Sequence, residues 1–81
     1  MNKKQLVVRL AMIVSTLGET TEAGESVAAS MIYLALGSDY QAYWDVVQAG
    51  ERVGWLKITP ERIEITPAGR VKAREFQALG V

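Results

Sequence analysis

The sequence predicts a small α+β domain made of three helices, a two-stranded β-hairpin and a terminal helix. Three observations carry that expectation. Apolar residues recur at three- and four-residue intervals as far as Val53, alternate with polar ones after Gly54, and return to helical spacing after Thr66-Pro67. With 81 residues, 49% of them hydrophobic, the chain suffices for one core and one domain over 1–81. A chain this short buries only about 60% of its unfolded surface, so a partner surface would add to a modest core.

Each element has its own signal. Leu6, Leu10, Ile13, Val14 and Leu17 place a first helix over 3–17, with Gly18 as its expected left-handed stop. The polar, aperiodic run 19–25 reads as a loop leading to Ser26, an N-cap for a second helix that reaches Leu36 and ends at Gly37. That helix is apolar nearly all round, through Val27, Met31, Ile32, Leu34 and Leu36, as expected of one buried between two others. Ser38 with Gln41 three residues later has the form of a capping box, so a third helix is expected over about 39–53. At 100° per residue, Tyr40, Tyr43, Trp44, Val46, Val47 and Val53 fall on one arc, opposite Gln41, Asp45, Gln48 and Arg52.

Beyond Gly54, Leu56 and Ile58 alternate with Trp55 and Lys57, and Ile63 and Ile65 with Glu64 and Thr66. A turn at Thr59-Pro60-Glu61-Arg62 would pair Ile58 with Ile63 and Leu56 with Ile65 on the core face, and Lys57 with Glu64 on the wet one. Thr66-Pro67 then caps and opens the last helix, in which Ala68, Val71, Phe76 and Leu79 are expected inward, Arg70, Arg74 and Gln77 outward, and Gly80 at the end.

Composition removes much chemistry. Without His or Cys there is no imidazole or thiolate catalysis, no Cys/His zinc site and no disulfide, and the absence of Cys fits a reducing cytoplasm. No spaced carboxylate pair or glycine-rich phosphate cradle stands out, and the Glu19–Glu25 stretch lacks the ligand pattern of a calcium loop. The expectation is therefore a protein that is not an enzyme and holds no cofactor or metal. Arg9 interrupts the apolar stretch after Lys3-Lys4, so the start reads as a helix rather than a secretory signal. The longest uncharged run, Ser26 to Ser38, is 13 residues, too short to cross a membrane, and no membrane partner is expected.

The order of elements, with Gly54-Trp55-Leu56 leading into the hairpin and Ile65-Thr66-Pro67-Ala68-Gly69-Arg70 leading out of it, resembles the winged helix-turn-helix domain of bacterial and phage regulators. The second string is similar to the LTPxGR exit of that family's wing. The resemblance implies a DNA-binding module of transcription-regulator type, its third helix in a major groove and its hairpin near the adjacent backbone. Gln41 and Gln48 suit adenine edges, Arg52 guanine and Asp45 cytosine, while Arg62 at the wing would meet phosphate. A homodimer through helix 1 or the last helix would enlarge the core, as related regulators often pair.

Charge pulls the other way. Residues 1–18 sum to +3, residues 19–51 to −6 with no base at all, and residues 52–81 to +3. Duplex binding rests on neutralising phosphates, and the helix 2–helix 3 tract does not supply the cations. Lys57 has a simpler partner in Glu64. Tyr40, Tyr43 and Trp44, with Tyr33 and Trp55, read most simply as core. Should Tyr40 and Trp44 instead be exposed, they would form an aromatic anchor with an acidic rim, suited to a basic protein partner.

Overall fold

The computed structural model describes residues 1–80. In chain order it has α1 (Lys3–Thr20), β1 (Ser26–Ala28), α2 (Ala29–Ala35), α3 (Tyr40–Arg52), β2 (Leu56–Ile58), β3 (Arg62–Ile65) and α4 (Pro67–Ala78). The strands form one antiparallel sheet in the order β1-β3-β2. Four helices and a three-stranded sheet make this a small α+β fold.

The hairpin has the expected register: Leu56 pairs with Ile65, Lys57 with Glu64 and Ile58 with Ile63. Strict alternation excludes a one-residue slip, which would turn every isoleucine toward water, and the short turn sets the rest of the register. Leu56, Ile63 and Ile65 are buried and meet Val14, Val46 and Val47 in one core. Thr59 closes the turn, its N–H donating to the Arg62 carbonyl at 2.9 Å, so Arg62 begins β3 instead of standing at the tip.

Residues 26–28 depart from the expected helix start. Val27 pairs with Ile63 across β1–β3, so the free edge of the hairpin is occupied by a third strand. Helix α2 is consequently short, and of its residues only Ile32 is buried; Met31 and Leu34 stand 60% and 65% exposed. The cap of α3 also moves by one residue. Gly37 and Ser38 both take positive φ, which leaves Asp39 at the N-cap accepting the Ala42 N–H at 3.1 Å. Ser38 therefore turns the chain and makes no capping box with Gln41.

Gly18 is not a stop. Helix α1 runs through it to Thr20, and a Cβ there would lie 2.5 Å from the Ala73 Cβ, so glycine serves the close approach of α1 to α4. Alongside that crossing, Gln77 Nε2 donates to the Ser15 carbonyl at 3.2 Å, and Arg70 Nη1 donates to the Thr21 carbonyl at 2.8 Å. Arg70 and Gln77 are thus half-buried seam residues, and Arg74 alone of the three points out. Val71, Leu79 and Ala68 are exposed; Phe76 packs inward as expected, and Gly69 and Ala73 take the inner face in place of the other three.

Apart from the exposed Ala68, the Ile65–Arg70 string is accounted for residue by residue. Ile65 is core; Thr66 accepts the Gly69 N–H at 3.0 Å and donates its hydroxyl to the Gly54 carbonyl at 2.6 Å. Pro67 opens α4, where its missing N–H is not needed. A Cβ at Gly69 would run into the Trp55 carbonyl oxygen. Arg70 ties α4 to the end of α1.

Candidate interaction surface

Helix α3 is held by its inner residues Ala42, Val46, Val47 and Gly50, all buried. Gly50 sits beneath Leu56, whose Cδ1 would lie 2.5 Å from any added Cβ. With that face fixed, the opposite one is presented as a rigid surface. It carries Tyr40, Gln41, Trp44, Gln48 and Arg52 exposed, and Asp45 half-buried.

The aromatic arc divides. Tyr43 is half-buried and meets Tyr33 edge-on, with ring centroids 5.9 Å apart; Tyr40 lies 6.5 Å from Tyr43 at a tilt of 35°. Tyr40 itself is 66% exposed, Trp44 41% and Val53 52%, so three residues expected inward are not core. They lie at the edge of the arc, outside the buried strip of Ala42, Val46, Val47 and Gly50. Trp55 is half-buried against Phe76, its ring covered from one side by the Lys72 ammonium 5.6 Å away. Burial, and after it the neighbouring Tyr40 phenol, raise the Tyr43 phenol above its ordinary value.

The polar residues are not equally available. Gln41 Nε2 donates to Asp45 Oδ1 at 2.8 Å, one turn along the same helix, so these two residues are joined to each other. Gln48 and Arg52 carry no such bond. Three carboxylates, Asp39, Asp45 and Glu51, flank the aromatic pair along the helix.

Arg62 lies elsewhere. Its Nε donates to Ser26 Oγ at 2.9 Å and its Nη2 to the Ser26 carbonyl at 2.8 Å, so the guanidinium clamps β1 onto β3. The residue at the hairpin tip is Glu61, whose carbonyl accepts the N–H of Ala29, the first residue of α2. An acidic tip follows from the register itself, since pairing Thr59 with Arg62 leaves only Pro60 and Glu61 beyond the ladder. Lys57 and Glu64 oppose one another as expected, yet the only ion pair among the described residues is Lys72–Glu75 at 2.7 Å. No group of three or more metal-binding side chains occurs among the described residues, and no described helix is long and apolar enough to cross a membrane.

The helices named for self-association keep apolar residues outside: Val7 and Val8 on α1, Val71 on α4 and Leu79 just past its end. Compared with protein-family models, curated proteins and solved structures, the chain matches none.

Proposed function

We propose that the chain is a winged-helix domain whose α3 face docks onto a basic protein surface. The fold reading is supported by the succession α1-β1-α2-α3-β2-β3-α4 with a β1-β3-β2 sheet, in which the hairpin would be the wing. The fold alone assigns no function, so the choice rests on the surface.

The observation that carries the reading is a pair of rings. Tyr40 and Trp44 lie one turn apart on α3, both substantially exposed, within a tract of 33 residues, 19–51, that holds six acids and no base. Large amphipathic rings gain most from being covered, and Tyr and Trp are over-represented among the residues that dominate interface energies. Carboxylates around such a centre favour a Lys/Arg-rich partner and repel phosphate. No catalytic role is assigned to any residue, and the partner is a protein rather than a cofactor or membrane.

Duplex DNA is the second reading, favoured by Gln48 and Arg52, which are exposed, one turn apart and without an internal hydrogen bond. Its difficulty is supply. Of the three bases in residues 29–65, Arg62 is engaged by Ser26, leaving Arg52 and Lys57 against Asp39, Asp45, Glu51, Glu61 and Glu64. Two cations neutralise too few phosphates for ordinary groove docking.

A selection of displayed random peptides on the full chain, with fluorescence titration of the winners and of a mixed-sequence duplex, separates the two. The expected winners are Lys/Arg-rich, lose about tenfold or more in affinity on Trp44→Ala, and are indifferent to Arg52→Ala. Duplex binding that falls steeply with salt and is weakened by Arg52→Ala would establish the DNA reading instead.

A further inference from the structure

Between α1 and the β1–α2 segment runs an open groove of about 540 Å³, inside the range of about 300–1,000 Å³ typical of small-molecule sites. It lies apart from the α3 face: its walls are α1, Val27, α2 and the turn after it as far as Gly37. Ile13, Leu17 and Ile32 line it as buried residues, and Met12 and Met31 line it while 54% and 60% exposed. Methionine is unbranched and polarizable, and it adapts to whatever apolar shape lies against it.

One lining residue is out of character with the rest. Arg9 is the groove's only charged residue among those described, half-buried and placed at the N-terminal end of the α1 stripe that continues through Ile13 and Leu17. Among the described residues no carboxylate lines the groove, and Arg9 takes no part in their only ion pair. The two arginines whose side chains are hydrogen-bonded, Arg62 and Arg70, donate to neutral oxygens; Arg9 has neither an anion nor such an oxygen among the described residues. A guanidinium bordering apolar surface attracts an anion more strongly than one in bulk water, and its planar fork matches a carboxylate with two parallel N–H···O bonds.

We infer that this groove binds a free amphipathic monocarboxylate, with its hydrocarbon body against Ile13, Leu17 and Ile32 and its carboxylate on Arg9. The inference does not depend on what α3 binds. The charge at one end and the mainly apolar lining beyond it, interrupted by Thr16 and Thr20 on α1, favour a ligand with one anionic head and one greasy tail. Size agrees: at roughly 30 Å³ per heavy atom, octanoate with its ten heavy atoms needs about 300 Å³, which the groove holds with room to spare.

Methionine methyl NMR tests it directly, because two of the chain's three methionines line the groove and the third, Met1, does not. Titrating octanoate into the full chain with labelled Met methyls should shift Met12 and Met31 saturably in the millimolar range and leave Met1 in place. The neutral isostere 1-octanol should bind about tenfold more weakly. Arg9→Gln should reduce octanoate to the level of octanol and leave octanol unchanged. Ala35→Trp, which puts an indole into the groove from an exposed position, should abolish both.

Three results would each overturn the proposal: no saturable shift in a folded chain, octanoate affinity unaltered by Arg9→Gln, or shifts that persist in Ala35→Trp. Met12 and Met31 signals that move on simple dilution, without ligand, would show that a second copy of the chain covers the groove, and would overturn it as well.

Discussion

Trp55 meets Phe76 edge-on at 5.7 Å, lies under the Lys72 ammonium, and offers its backbone carbonyl to the Thr66 N–H directly above Gly69. Trp44, eleven residues earlier, stands 41% exposed with no stacked ring among the described residues. The same side chain is a joint in one place and a surface in the other, and the difference extends to the residues around each. Around Trp55, each member of the Ile65–Arg70 string except the exposed Ala68 has a structural task. Around Trp44 the contacts of the outer face stay within α3, as the Gln41–Asp45 bond and the Tyr40–Tyr43 ring pair. The segment that carries the winged-helix resemblance is thus accounted for as architecture.

The comparison breaks most visibly in stability. Trp55→Ala should cost about 3 kcal/mol in urea unfolding, the loss expected when a packed ring is removed. Trp44→Ala should stay within about 0.5 kcal/mol, as for an exposed position. Equal losses would show that Trp44 is a hidden part of the core. Next in size is Gly69→Ala at about 2 kcal/mol, because the added methyl meets a backbone oxygen that cannot rotate away.

Arginines repeat the contrast on a smaller scale. Arg70→Ala removes a charged donor from the buried Thr21 and should cost about 1.5 kcal/mol, whereas Arg52→Ala should again fall within about 0.5 kcal/mol. A costly Arg52→Ala would mean that the end of α3 is tied down in a way its exposure does not suggest.

The smallest expected effect is a pH dependence. The folded Tyr43 phenol titrates above its unfolded value of about 10, so the unfolded state loses its proton first. Its contribution to stability is fully present below pH about 10 and is lost as pH rises through the folded value. Unfolding free energy should decline above that pH, less steeply in Tyr43→Phe. The reverse slope would place Tyr43 in a setting that favours its anion.

What the residues disclosed in advance was local. The hairpin register followed from four alternating apolar residues, and α4 from Thr66-Pro67, because the physics of each lies within a few positions. Strand β1 was not legible: Ser26-Val27-Ala28 has no alternation of its own and becomes a strand only against the edge of β3. Gly18 shows the same limit, since a glycine after an apolar stripe suits a helix end and a close helix crossing equally, and only Ala73, far along the chain, decides. Of the site, the polar face of α3 was readable from a wheel. The outward turn of Tyr40 and Trp44 was not, because a wheel fixes direction and not how far a neighbour reaches. The engagement of Arg62 by Ser26 depends on a contact 36 residues apart.

The most direct measurement uses the two indoles as paired reporters. Their N–H signals in a proton–nitrogen spectrum are followed while a display-selected basic peptide, and separately a mixed-sequence duplex at low salt, are added to the full chain. The expected result is a saturable shift of Trp44 with the peptide, Trp55 unmoved, and neither signal disturbed by the duplex. A Trp44 signal indifferent to the peptide, yet displaced by duplex in a manner that added salt reverses, would contradict it.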